Sequence, residues 1–133
     1  MSGLPGTPRA LILDDEKSIA RLCSRVIQAL GAQTDTAGLV AEAEALIRAG
    51  HHDLLVCDMR LPDGTGLDLE VLFRERNPHG RVIVMTGSLM PEHLALVSER
   101  TEIVFLSKPF ELDDFRRAVV DMLSAAAVSG EAK

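Results

Sequence analysis

The stretch LLVCD, residues 54–58, sets four consecutive apolar side chains ahead of a single carboxylate. A strand with one face in water alternates apolar and polar residues, so a short unbroken run fits a strand covered on both faces. Three more runs match it: ALIL at 10–13, VIVM at 82–85 and IVFL at 103–106. QTDTA at 33–37 is a weaker fifth candidate. Between the runs lie stretches of helical spacing. Residues 18–30 place Ile19, Leu22, Val26, Ile27 and Leu30 on one face, and residues 39–49 do the same with Leu39, Val40, Ala43, Leu46 and Ile47. Residues 67–76, 91–100 and 111–126 supply three further helices, the second opened by Pro91, a residue suited to a first helical turn. Gly31, Gly50 and Asn77-Pro78-His79-Gly80 stand where helices end. Doubly covered strands separated by helices must run parallel, so the expected fold is α/β, a doubly wound sheet with helices on both faces.

At 133 residues the chain can bury one core and is too short for two ordinary domains. Residues 1–8 are expected to form a flexible leader, 9–126 the domain and 127–133 a polar tail. Twenty acidic residues against 14 basic ones give a net charge of −6, the wrong sign for a chain that coats phosphate backbones. All four aromatics are Phe, which leaves no Tyr or Trp platform for bases. Direct nucleic-acid binding is therefore not expected. No apolar stretch approaches the roughly 20 residues of a membrane helix, and MSGLPGTPRA lacks the apolar centre of a secretory signal, so a soluble cytoplasmic protein is expected. Cys23 and Cys57 read as reduced core thiols, and His51-His52 as a pair in a solvated loop.

In an open parallel sheet every strand points the same way, and the residues that follow the strands collect along one edge, where such folds bind ligands. Here that edge receives Asp14, Asp15 and Glu16, then Asp58, then Thr86, then Lys108 and Pro109. Three carboxylates brought together repel by about 4 kcal/mol per pair at about 4 Å and an effective dielectric near 20, so the cluster calls for a cation. Hard oxygen donors suit Mg²⁺, which uses one or two carboxylates, waters and phosphate oxygens. With the Lys108 ammonium, three carboxylates and one Mg²⁺ sum to zero charge, a setting able to receive an anionic phosphoryl group. A carboxylate can attack phosphorus to form an acyl phosphate. Asp58 stands alone at its strand end and is the expected nucleophile, whereas Asp14 and Asp15 are paired as metal ligands would be. The loop MRLPDGTG, with Pro62, Gly64 and Gly66, is tight enough to bring the backbone carbonyl near Arg60 to the same ion.

LILDDE at 11–16, VCDMRLPDGTGL at 56–67, VMTG at 84–87 and LSKPF at 106–110 resemble, in this order and spacing, the receiver domain of two-component response regulators of the chemotaxis-regulator-like kind. The resemblance covers about residues 8–126. It implies a flavodoxin-like (βα)5 three-layer sandwich with strand order 2-1-3-4-5. It makes Asp58 the phosphoacceptor, with Mg²⁺ on Asp14, Asp15, Asp58 and the backbone carbonyl of Arg60. Thr86 and Lys108 match the phosphate-contacting hydroxyl and ammonium. Thr86 and Phe105 match the switch pair that remodels the surface of the fourth helix, fifth strand and fifth helix. Arg60 and Ser88 stand where the family varies phosphoryl lifetime, and Lys108-Pro109 is expected to be cis. Phe105 has no hydroxyl, so a tyrosine-type hydrogen bond is absent from that position.

The partner implied is a sensor histidine kinase or a histidine phosphotransfer protein, with output through an unidentified effector, and the chain is expected as a monomer or weak homodimer. It would act as a signalling switch that catalyses only its own phosphorylation and dephosphorylation, not as an enzyme with an external substrate. Two alternatives are a phosphorylation-independent interaction module on the same fold and a Mg²⁺-dependent aspartyl-phosphate phosphohydrolase. Against the latter, Arg60 occupies the place two residues after Asp58 where a carboxylic acid/base would be needed.

Overall fold

The structure is a computed structural model that describes residues 7–87 and 102–131. The expected leader lies mostly outside these residues, as do Ser88 and the expected helix at 91–100. In chain order the elements are β1 (Arg9–Leu13), α1 (Lys17–Ala29), β2 (Gln33–Ala37), α2 (Val40–Ala49), β3 (Leu54–Asp58), β4 (Arg60–Leu61), β5 (Gly64–Thr65), α3 (Gly66–Arg76), β6 (Arg81–Thr86), β7 (Ile103–Ser107) and α4 (Leu112–Glu131). Five strands form one sheet in the order β2-β1-β3-β6-β7, all parallel, while β4 and β5 make a separate two-stranded hairpin. Counting only the five sheet strands, the order is 2-1-3-4-5, as the resemblance implies.

Side chains along each strand alternate between two cores. Leu11, Leu13, Leu55, Cys57, Val82 and Val84 pack on one face with Val40, Ala43 and Ile47 of α2 and Leu69 and Phe73 of α3. Ala10, Ile12, Leu54, Val56, Ile83 and Met85 pack on the other with Ala20, Cys23 and Ile27 of α1 and Phe115, Val119 and Met122 of α4. Every one of these is buried, which explains why the central strands read as unbroken apolar runs. Strand β2 is the exception because it is an edge: Gln33 and Thr36 are exposed, and only Ala37 is buried. Both cysteines are free and buried, as expected.

The apolar runs end one residue before three of the strands do, β3, β6 and β7. Asp58 is the last residue of β3, in register with Met85, and Thr86 the last of β6, in register with Ser107. Backbone pairing continues past the last apolar side chain, so both polar groups are fixed by the sheet rather than carried on loops.

The opposite edge departs from expectation at one residue. His51 is exposed, but His52 is only 1% exposed, not solvated. Its Nε2 lies 2.8 Å from Oδ2 of Asp35 on β2, which also accepts from the Arg9 guanidinium at 2.8 Å. Its backbone N–H donates to Oδ1 of buried Asn77, whose amide donates to the Phe73 carbonyl at the end of α3. The start of β3 is thus tied to both β2 and α3.

Candidate functional site

At the C-terminal edge of the sheet, the end of β1 delivers Asp14 into the interior, where it is 2% exposed. Its N–H donates to the Ala37 carbonyl at the end of β2, and its Oδ1 accepts the Glu16 N–H at 2.9 Å. Asp15, the next residue, is exposed, and Asp58 at the end of β3 is half-buried. One carboxylate oxygen from each of these three residues lies within 4.8 Å of the other two. Lys108 follows β7, its backbone N–H donating to the Thr86 carbonyl at 2.7 Å. Its Nζ bridges Asp14 Oδ2 at 3.1 Å and Asp58 Oδ2 at 3.2 Å. The Lys108-Pro109 bond is cis, as expected. Thr86, 4% exposed, ends the strand between those of Asp58 and Lys108.

The electrostatics follow from burial. Desolvation raises the Asp14 pKa above its ordinary 3.8, with the Glu16 amide and Lys108 offsetting only part of it. Burial alone would lower the Lys108 pKa, but its bonds to Asp14 and Asp58 outweigh that and hold the ammonium above 10.5. The site therefore holds a cation between two carboxylates. Burial also pushes the Cys23 thiol up to about 12 and the Cys57 thiol up as well, so neither is a nucleophile here.

The hairpin after Asp58 is packed against it. Met59 N–H donates to the Met85 carbonyl at 2.8 Å and its carbonyl accepts from Gly66 N–H at 3.0 Å. A Cβ on Gly66 would sit 2.5 Å from the Asp58 carbonyl oxygen and 2.8 Å from Cys57 Sγ, so only glycine allows α3 to start this close to the acceptor strand. Arg60 opens the hairpin opposite Thr65, two residues beyond Asp58. Phe105 sits on β7, half-buried against the core that holds α2 and α3. A groove of about 650 Å³ begins at Asp14 and Asp15 and runs between Arg21 and Ser24 of α1 and Leu39 and Pro62 opposite.

All the expected site residues that are described gather at this edge, except that Phe105 lies within its strand. Sequence reasoning missed what Gly66, Asp63 and His52 touch. Gly66 was legible only as part of a tight loop, because its closeness to Asp58 depends on where α3 crosses the sheet. Nothing in the sequence says that the Asp63 carboxylate reaches back to α2, where it accepts from Val40 N–H at 2.8 Å and Ala41 N–H at 3.1 Å.

A sequence model described as the response regulator receiver domain matches residues 10–120. The chain belongs to that family. The receiver domain is 33% identical over 115 residues to the photosynthetic apparatus regulatory protein RegA of Rhodovulum sulfidophilum, an alignment covering 85% of this chain and 62% of that protein. It is 38% identical over 117 residues to the response regulator protein PilR of Pseudomonas aeruginosa, covering 86% of this chain and 26% of that one. The chain thus spans less than two thirds of the length of these relatives. Among solved structures, the beryllofluoride-activated NtrC4 receiver domain dimer superposes with a TM-score of 0.77 at 29% identity, covering 89% of this chain and 98% of that one. Among the described residues, no helix is long and apolar enough to cross a membrane.

Proposed function

We propose that Asp58 accepts a phosphoryl group from the phosphohistidine of a sensor kinase or histidine phosphotransfer protein. The observation that carries this reading is the convergence of Asp14, Asp15 and Asp58 around one ammonium at a single sheet edge. Three carboxylate oxygens from two strand ends, with no imidazole or thiolate among them, are the donor set of a hard divalent cation. Asp14, Asp15, Asp58 and the backbone carbonyl of Arg60 would hold Mg²⁺. When bound, the ion supplies charge neutralisation for the phosphoryl oxygens and lets the carboxylates stay ionised together.

The chain's own residues do the rest. An Asp58 oxygen attacks phosphorus, the P–N bond to the donor histidine breaks and an acyl phosphate forms. The Lys108 ammonium, already at Asp58, neutralises charge on the transferred group, and the Thr86 hydroxyl donates to one of its oxygens. The phosphoryl group replaces one carboxylate charge with about two, a local change that biases Thr86 and Phe105 and with them the surface that includes β7 and α4. Arg60 and Ser88 tune how long the phosphoryl group lasts. The chain turns over no external metabolite, so it works as a switch rather than an enzyme. Its kinase, its effector and a weak homodimer complete the reading, the last supported by the dimeric NtrC4 receiver domain.

The test is intact mass after incubation with Mg²⁺ and acetyl phosphate. A single phosphoryl adduct is expected, and it should vanish in Asp58→Asn and in chelator. An adduct that survives in Asp58→Asn would overturn the assignment.

A further inference from the structure

Helix α2 begins after Leu39, which has no polar side-chain atom with which to cap it. Two carboxylates satisfy the amides instead, one from the helix's own first turn and one from far along the chain. Glu42 accepts from Gly38 N–H at 2.9 Å and Leu39 N–H at 3.2 Å. Asp63 accepts from the next two, Val40 and Ala41, across 23 and 22 residues of chain. Asp63 lies in the turn between β4 and β5, whose ladder consists of only the pairs Arg60 with Thr65 and Leu61 with Gly64. A hairpin that short does not hold its own shape in water. Its base is fixed to β6 through Met59 and to α3 through Thr65, whose N–H donates to Asp68 Oδ2 at 3.0 Å, and its tip is fixed to α2 by Asp63, with Gly64 so near that a Cβ there would stand 3.2 Å from Val40 Cγ2.

We infer that Asp63 is a positioning residue for the metal site: by clamping the hairpin tip to α2 it fixes the backbone of Arg60, and so the affinity for Mg²⁺. This rests on the reading of Asp14, Asp15, Asp58 and the Arg60 carbonyl as the ion's ligands. The same two amide bonds, that of Val40 first, hold the Asp63 carboxyl below the ordinary carboxylate range, so the clamp stays charged at neutral pH. Groups that hydrogen-bond a metal's ligands are worth about 10- to 100-fold in affinity, and Asp63, acting one step further out through the hairpin backbone, belongs at the low end of that range.

The experiment is calorimetric titration of the apo chain with Mg²⁺, on wild type, Asp63→Ala, Asp63→Asn and Glu42→Ala. Glu42→Ala removes the other carboxylate from the start of α2 without touching the hairpin, so it reports what weakening the helix alone does. We expect Asp63→Ala to raise Kd about tenfold. Asp63→Asn, which keeps one acceptor oxygen, should raise it less, and Glu42→Ala should stay within about twofold of wild type. Wild-type affinity in Asp63→Ala, or an equal loss in Glu42→Ala, would overturn the positioning role. If Asp63→Ala does not fold, Asp63→Asn decides, and wild-type affinity there overturns the role equally. A wild-type chain that binds no Mg²⁺ overturns the metal reading itself, an outcome distinct from binding that ignores Asp63.

Discussion

Asp14 is a buried charge at the end of β1, with Lys108 as its one cationic partner among the described residues. Its raised pKa means that the fold binds its proton more tightly than the unfolded chain does. The stability this provides is full below about pH 3.8 and is lost as pH rises through the folded value, leaving the ionised form a net cost at neutral pH. Asp14→Asn should therefore melt at or above the wild-type temperature without metal, and added Mg²⁺ should no longer raise its melting temperature. Thermal melts with and without Mg²⁺ check both, and a variant still stabilised by Mg²⁺ would remove Asp14 from the ligand set. Gly66 answers to sterics instead. With a Cβ 2.5 Å from the Asp58 carbonyl oxygen, Gly66→Ala should cost about 1–3 kcal/mol in urea unfolding and slow phosphorylation by acetyl phosphate, because strand or helix must move. At this scale the sequence was legible wherever a residue's role follows from its place at a strand end. Asp14, Asp15, Asp58, Thr86 and Lys108 are such residues. It was silent where the role depends on a neighbour distant in the chain, as for Asp63 and Gly66.

The described helices and the five strands of the main sheet were legible for a different reason, since continuous apolar runs and helical spacing both report the two buried faces of one sheet, whereas the β4-β5 hairpin read only as a tight loop. Even β2 came through as a weak strand, and its weakness is physical, because only its last residue, Ala37, is buried. What the pattern missed is how the elements are fastened at the edge away from the site. His52 sits beside an exposed His51, so nothing local marks it as buried, and its depth comes from Asp35 on β2 and Asn77 beyond α3. The His52 hydrogen bond, and then the Arg9 charge, hold the Asp35 pKa below 3.8 against some desolvation. Its contribution is present above pH 3.8 and lost as pH falls through the lowered folded value. Asp35→Ala should cost about 2 kcal/mol at pH 7, because it strands a buried ring nitrogen. Arg9→Ala, which removes a half-exposed guanidinium, should cost less than about 1 kcal/mol. Urea unfolding of the two variants checks the order, and equal losses would show that the ion pair, not the buried histidine, fastens β2.

Across the whole molecule, Asp14, Asp15, Asp58 and Lys108 meet at one edge of a sheet covered on both faces, so an ion held there would bind only the folded chain. An ion that binds only the folded chain stabilises it by about 2.7 kcal/mol at one hundred times its Kd. Midpoints of unfolding should rise with Mg²⁺ in wild type and stay flat when Asp14 is Asn. The fold class and site edge were readable at this scale, because they follow from a repeated unit and one rule about where strands end, whereas the strand order came only through the family resemblance. The output was not, since it belongs to surfaces that meet other proteins, and the relatives RegA and PilR are longer than this chain.

Three residues, Asp14, Asp15 and Asp58, bring carboxylate oxygens within 4.8 Å of one another, and the proposed chemistry puts the phosphoryl group on Asp58 alone. Borohydride reduction of the phosphorylated chain converts an acyl phosphate to an alcohol at the residue that carried it, and peptide sequencing by mass spectrometry then names that residue. Conversion is expected at Asp58 only. Conversion at Asp14 or Asp15, with Asp58 intact, would contradict it.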